Sequence, residues 1–273
     1  MNVKDSVISI ITVCYNCQDT IQKTIESVIS QTYPHIQYIV IDGRSTDGTL
    51  AMISTYKDRI DLVISEKDSG IYDAMNKGLQ HARGDVIYFL NSGDKIAAPD
   101  TIEKINSVFK ENLEVKLVHG DAIGYGEQPD EYLSMYRENP IIYFTQGLCH
   151  QTLFARKRLF ETIGNFDTQF SVFADRDWLF RCLFRHHEKI MYVKLPVCYY
   201  LTGGFSSLKK GKFFHEKTRL LLKYCFNKRV MVLLIKNPRE LFLFLGLILY
   251  SLANIIAFTV FHKGIQVSSV KFL

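Results

Sequence analysis

Hydrophobic and polar positions along the first 120 residues switch between two periods. "VISIITV" (7–13) is a continuous β-branched run, which predicts a buried strand. In "DTIQKTIESVIS" (19–30), Ile21, Ile25, Val28 and Ile29 recur at helical spacing behind a capping box of Asp19 and Gln22. "IQYIVID" (36–42) reads as a second strand, and the turn 43–49 leads into a helix through Ile53. "DLVIS" (61–65) predicts a third strand, followed by a helix over 70–84 that aligns Ile71, Met75, Leu79 and Ala82 before Gly84 stops it. "DVIYFL" (85–90) is the fourth strand, and a further helix and strand occupy 97–118. Alternation of this kind implies an α/β fold with a parallel sheet covered on both faces.

The pattern then loosens. Residues 121–150 read as an excursion, with helices over 156–167 and 175–184 and strands at 190–193 and 197–201. The last sixty residues change character. Residues 209–229 are basic and interleaved with Phe, Leu and Tyr, and Leu241–Phe261 carries no charge. As a helix that stretch reaches roughly 30 Å, about the thickness of a bilayer's hydrocarbon. It either spans a membrane, lies on one as an interfacial or re-entrant hairpin, or packs as a core helix. The chain therefore divides into a catalytic-type domain, 1–208, and a basic, hydrophobic membrane-associating region, 209–273.

Composition narrows the class. With 273 residues and 47% hydrophobic content there is ample core for folding. A net charge of +5 falls short of a nucleic-acid-binding stripe and suits phosphates or anionic lipid. The six cysteines lack framework spacing and the amino terminus lacks an apolar signal core, so a reduced, cytoplasmic setting is expected, at the inner face of the plasma membrane. Cys14 and Cys17 form a lone C-x-x-C, read as incidental thiols rather than a zinc site.

The chemistry is concentrated at strand ends. Asp42, Asp68 and Asp94 follow the second, third and fourth strands, so all three carboxylates are expected on one edge of the sheet. Neither a Gly-x-Gly-x-x-Gly turn nor a Gly-Lys-Ser/Thr loop is present, so phosphates need another cradle. A divalent cation, Mg²⁺ or Mn²⁺, on Asp94 would supply one, since these ions are held by one or two carboxylates and the substrate's own oxygens.

Four ordered motifs over residues 6–208 carry a family likeness: "ITVCYNCQDTIQKTIESVISQTYPHIQYIVIDGRSTDGT", "SEKDSGIYDAMNKGLQHARGDVIYFLNSGD", "CHQTLFARKRLFETIGNFDTQF" and "ADRDWLFR". The chain resembles the family 2 glycosyltransferases, which have the GT-A fold. The resemblance implies that Thr12, Tyr15, Asn16 and Asp42, joined by Asp68, hold the base and ribose of a nucleotide-sugar, with a leaning to uridine. It places Tyr72, Asp73, Asn76 and Lys77 on the donor side. "NSGD" (91–94) stands where the family has Asp-x-Asp-Asp, so Asn91 and Gly93 replace carboxylates and Asp94 alone remains as metal ligand. Asp175 matches the family's base, which takes the acceptor hydroxyl's proton in a single inverting displacement; Asp177 points about 200° away on the helix and is structural. His150 and Gln151 fall in the acceptor-side motif, His150 either contacting substrate or serving structure. Trp178 is read as core or as a sugar platform, and "TGGFSS" (202–207) as a lid or a turn.

The resulting expectation is an inverting glycosyltransferase acting on a glycan, most simply a lipid-linked one, in surface polysaccharide assembly. Two rivals stand beside it. The eroded metal motif suits a non-catalytic nucleotide-sugar scaffold, and the sheet-edge acids suit a nucleotidyltransferase, although the Gly-rich basic opening of such enzymes is missing.

Overall fold

The computed structural model describes residues 5–126, 131–136, 139–202 and 210–262. At its centre is β1 (Ile8–Cys14), every residue of which is buried. β-Branched side chains on both faces explain this, because a strand in the middle of a parallel sheet is covered twice. β2 (Ile36–Asp42) and β4 (Val86–Phe89) flank it in parallel, and β3 (Leu62–Ser65) pairs in parallel outside β2. The carboxyl ends of all four strands therefore share one edge, where the sheet order reverses direction around β1.

On the other side the sheet turns antiparallel. β8 (Leu153–Arg156) runs against β4, and β6 (Leu117–Tyr125) runs against β8. The long β9 (Ile190–Leu201) lies parallel to β6 and ends against β5 (Lys95–Ile96), while β7 (Glu131–Leu133) extends the outer edge of β6. The order is β3-β2-β1-β4-β8-β6-β9-β5.

Several boundaries differ from the pattern-based reading, each for a local reason. The first helix, α1 (Ile21–Ile29), starts after Thr20, and no capping box forms because the Gln22 amide is drawn to Glu26 at 2.9 Å. α2 (Thr49–Ser54) agrees with expectation. α3 (Ile71–His81) stops three residues before Gly84, whose role lies elsewhere: a Cβ there would come within 2.6 Å of the Ser9 amide. α4 (Thr101–Glu111) leads into β6, which continues to Tyr125 through residues expected to be irregular. α5 (Pro140–Gln146) fills the rest of that stretch. Residues 190–201 form one strand rather than two, since the ladder slips its register between His119 and Ala122 and accommodates Pro196, which has no amide to donate. α6 (Arg158–Ile163) and α7 (Ala174–Phe180) are shorter than their hydrophobic periods, the latter running into a π turn at Arg181–Arg185.

Three further helices, α8 (Lys210–Cys225), α9 (Lys228–Lys236) and α10 (Pro238–His262), close the described chain. They dock on the sheet domain: the Glu240 carboxylate accepts the Thr145 hydroxyl, and the Phe244 ring lies 5.5 Å from that of Phe144. Large apolar side chains are exposed on and between them, with Phe226 90%, Phe242 79% and Leu249 68% exposed. Among the described residues no helix is long and apolar enough to cross a membrane. The later part of the uncharged stretch, and the "TGGFSS" segment from Gly203 on, lie outside the residues whose side chains are described.

Candidate functional site

The strand ends open onto a cavity of about 850 Å³, lined from eight separate parts of the chain. Tyr15, 62% exposed, stands at its rim after β1, and Asp68 follows β3. α3 contributes Tyr72, and the segment after β4 contributes Asn91, Ser92 and Asp94. His150 and Gln151 arrive just before β8, and Asp175 and Arg176 begin α7.

Asp68 closes an Asx turn, accepting from the Gly70 amide at 2.9 Å, and its carboxylate lies over Gly43. A Cβ at Gly43 would stand 2.5 Å from Asp68 Oδ2 and 3.3 Å from the Tyr15 ring. The missing side chain at Gly43 leaves the space into which Asp68 folds. Gly43→Ala is accordingly expected to push Asp68 out of place and weaken nucleotide binding about tenfold, roughly 1.4 kcal/mol, with stability changed by no more than about 0.5 kcal/mol. Thermal shift with nucleotide checks this; unaltered affinity would show that Asp68 touches nothing in the ligand.

Asp94 is only 4% exposed. Its Oδ1 accepts from the Leu201 amide at 3.0 Å, so the end of β9 pins it, and its Oδ2 accepts from the Gln151 amide at 2.9 Å. Burial raises its pKa to about 6, opposed by those two hydrogen bonds and by the charge of His150. No salt bridge to Asp94 forms among the described residues, and the charge of His150 only partly offsets burial. Among the described residues no group of three or more His, Cys, Asp or Glu is placed to hold a metal. No preformed cage therefore stands among the described residues, but Asp94 lines the cavity and each of its oxygens accepts only one hydrogen bond. The donor set fits a divalent cation that brings its other ligands as water and substrate phosphate.

Opposite lies a hydrogen-bonded pair. His150 Nδ1 is 3.2 Å from Asp175 Oδ2, with side-chain exposures of 22% and 16%. The other oxygen of Asp175 accepts from the Arg176 amide at 2.8 Å and lies 2.9 Å from the Tyr72 hydroxyl, whose single proton is shared with the Val172 carbonyl at 2.7 Å. Burial by itself would raise the Asp175 pKa. The His150 hydrogen bond and charge, the Arg176 charge and the Tyr72 hydroxyl together bring it below the ordinary carboxylate value. Burial likewise pulls His150 down, and Asp175 overcomes this to leave its imidazole above the ordinary histidine value. On its far side His150 Nε2 faces the Asn91 amide nitrogen at 3.0 Å, while Asn91 Oδ1 is buried without a partner.

Seven of the sequence-derived candidates therefore share the cavity: Tyr15, Asp68, Tyr72, Asp94, His150, Gln151 and Asp175. Six do not. Thr12 is fully buried and receives the Tyr38 hydroxyl at 3.2 Å. Asn16 takes a left-handed φ of 46° and accepts from the Thr46 amide at 2.9 Å, stapling the turn after β2. Asp42 is fully buried behind the cavity wall, its oxygens taken by the Ser45 amide and hydroxyl and by the Ser65 hydroxyl at 2.6 Å. The expected convergence of three strand-end acids thus holds for two. Asp73 accepts from the Ser69 amide at 2.9 Å, Asn76 makes two bonds of 3.0 Å to the Phe166 backbone, and Lys77 pairs with Glu66 at 2.8 Å. None of the three lines the cavity.

Asp177 is structural as expected, with no exposure, and Trp178 is core, stacked on Phe160 at 4.2 Å. Sequence reasoning passed over Arg176 and Phe213, which also line the cavity. Arg176 adjoins Asp175 and could have been found from that; Gly147, at φ 83°, leaves its guanidinium room that a Cβ would fill at 2.2 Å. Phe213 comes from α8 and carries no motif.

The family model "Glycosyl transferase family 2" matches residues 9–179. An uncharacterized glycosyltransferase of Mycobacterium tuberculosis is 34% identical over 183 residues, covering 64% of this chain and 68% of its own. A PGL/p-HBAD biosynthesis glycosyltransferase of Mycobacterium bovis is 28% identical over 241 residues, 84% of this chain and 90% of its own. Among solved structures, S. aureus TarS 1–349 in complex with UDP superposes with a TM-score of 0.65 at 20% identity, covering 81% of this chain and 66% of that one. The mannosyltransferase PcManGT of Pyrobaculum calidifontis, in complex with GDP-Man and Mn²⁺, gives 0.62 at 17% identity, covering 97% and 82%.

Proposed function

The chain belongs to glycosyl transferase family 2, with the GT-A fold, and on that premise we propose that it moves a sugar, with inversion, from a nucleotide-sugar donor to a hydroxyl of a lipid-linked glycan. The observation that carries this reading is the single cavity lined by Asp68, Asp94 and the His150–Asp175 pair. Asp68 and Tyr15 frame the nucleoside end, and Asp94 marks the diphosphate. When held on Asp94, a divalent cation, Mg²⁺ or Mn²⁺, supplies neutralising charge at the departing diphosphate. A uridine nucleotide is the first choice because a TarS structure holds UDP-GlcNAc, although GDP-Man in PcManGT keeps guanosine open to test.

The pair on the acceptor side acts as the base. Above its own titration it holds one proton, on His150 Nδ1, directed at the Asp175 carboxylate. As the acceptor hydroxyl attacks the anomeric carbon its proton passes to His150 Nε2, from which the Asn91 N–H withdraws, and the two groups titrate as a unit. Asn91 serves both states: its amide nitrogen donates to neutral His150, and a turn of the amide offers the unpartnered Oδ1 to the imidazolium. Since the raised value of His150 marks loss of the base form, activity is expected to fall as pH drops through a point above 6.5. His150→Gln should move that limb downward. An acid limb near pH 4 in the unaltered enzyme would mean that Asp175 works without His150.

Action at a membrane surface accounts for the exposed apolar side chains of α8–α10 beside the bases Lys228, Arg229, Lys236 and Arg239. The cytoplasmic face of the plasma membrane and surface polysaccharide assembly follow as the setting, in keeping with a relative named for teichuronic acid biosynthesis, TuaG of Bacillus subtilis. Radiolabelled donor incubated with membranes tests the whole: label entering the lipid extract is expected. Label that reaches neither lipid nor water, with nucleotide still bound, would make the protein a scaffold.

A further inference from the structure

The proposed chemistry depends on where Asp175 stands, and α8 grips that segment at two points. Glu216, 7% exposed, accepts from the Ser171 amide at 2.8 Å, the Ser171 hydroxyl at 2.6 Å and the Val172 amide at 2.8 Å. The carbonyl of that same Val172 receives the Tyr72 hydroxyl, which also touches Asp175. Two helical turns along α8, Lys223 Nζ lies 2.7 Å from Asp177 Oδ1, and the Tyr224 hydroxyl lies 3.1 Å from it. Asp177 is fully buried and also receives Arg181 Nε at 3.1 Å.

Seven residues separate Glu216 from Lys223, so both side chains leave the same face of the helix. Helix docking alone needs no such groups. Apolar side chains of similar size would pack α8 at least as well, whereas a buried carboxylate spent on two backbone amides fixes one register and one direction. The grip falls on residues 171–177, with Asp175 inside it.

We infer that Glu216 and Lys223 are positioning residues, a clamp through which α8 sets the Asp175 carboxylate against His150 and the cavity. This rests on the reading of Asp175 as part of the base, and goes beyond it by making the C-terminal helices a working part of the centre. Perturbation of α8 is then transmitted to the acceptor side while the nucleotide side, built on β1, β3 and β4, is spared.

The test needs no donor. Full-length protein carrying Glu216→Gln or Lys223→Met is compared with the unaltered chain, with Glu216→Asp as the conservative change and Phe226→Ser, in the exposed turn just after the same helix, as a control. Two signals are read: the titration of the His150 imidazole by nitrogen-resolved NMR, and amide exchange of residues 171–177. Both clamp variants should lower the His150 midpoint by about one pH unit, as expected when an acidic partner moves away. Exchange of 171–177 should speed up about tenfold or more. Glu216→Asp should recover at least half of each effect, and Phe226→Ser should change neither. Folded clamp variants with an unchanged His150 midpoint would overturn the inference, as would loss of the signal only in proportion to overall unfolding. Should Glu216→Gln fail to fold, Lys223→Met decides alone, because Arg181 still pairs with Asp177. Failure of the glycosyl-transfer reading would show separately, as an unaltered chain that binds no nucleotide.

Discussion

Asp175→Asn lowers sugar transfer by about a thousandfold and leaves nucleotide affinity within about twofold, a size typical for removal of a positioned base. Asparagine keeps the shape, and its oxygen can still accept from the Arg176 amide and the Tyr72 hydroxyl. What is lost is the charge opposite His150. Without it the largest influence holding the His150 titration up against burial is gone, so the pair takes up a proton far less readily as the acceptor attacks. Single-turnover conversion of labelled donor, set beside nucleotide titration on the same preparation, separates the two effects. An Asp175→Asn enzyme of undiminished rate would remove the pair from the mechanism.

The second large effect is on stability. Asp94→Asn is expected to stabilise the metal-free protein by about 3 kcal/mol at pH 7.5 while abolishing cation-dependent nucleotide binding. Burial lifts Asp94 from 3.8 to about 6, and at 1.36 kcal/mol per pH unit this difference measures the strain of keeping the carboxylate ionised. The sign follows from proton uptake. Because the folded state holds the proton more tightly than the unfolded one, the penalty is complete above pH 6 and is relieved as pH falls from about 6 toward 4. The advantage of asparagine should shrink over that window. The neutral side chain still accepts from the Leu201 amide, and the Gln151 amide turns over to meet its new donor. Denaturant unfolding at pH 7.5 and pH 4 gives the comparison. Equal stability of the two proteins at pH 7.5 would mean that Asp94 is already paired in a way its neighbours do not reveal. A site that is costly when empty and relieved by its ligands fits a cation that arrives with the nucleotide.

How far residues alone led can be judged from individual positions. The four parallel strands, whose order came only from the structure, were legible because β-branched runs buried on both faces have little else to become. The antiparallel half was less so. β5 has two residues, β7 three, and β8 is an apolar run adjoining α6 that reads equally well as helix. Among candidate residues, motif position identified Asp94, Asp175 and His150 but could not tell which way a side chain turns. Asp42 ends β2 as expected, yet it faces the hydroxyls of Ser45 and Ser65 and becomes a knot between strand ends rather than a contact for a base. Asn76 follows Tyr72 one turn along the same face of α3, but its amide is taken up by the Phe166 backbone, and Lys77 is turned toward Glu66. The contacts of α8 with the Asp175 segment were beyond reach, since they join residues about 45 positions apart with no local pattern to announce them.

The account stands or falls on one cavity gathering a nucleotide and a cation at Asp68 and Asp94. Titration calorimetry of the full-length protein with UDP, GDP and dTDP, each with and without Mn²⁺, addresses it most directly. One nucleotide is expected to bind in the presence of Mn²⁺, with Mn²⁺ alone giving no heat and Asp94→Asn erasing the dependence on metal. Tight Mn²⁺ binding by the nucleotide-free protein, or nucleotide binding indifferent to both Mn²⁺ and Asp94, would contradict it.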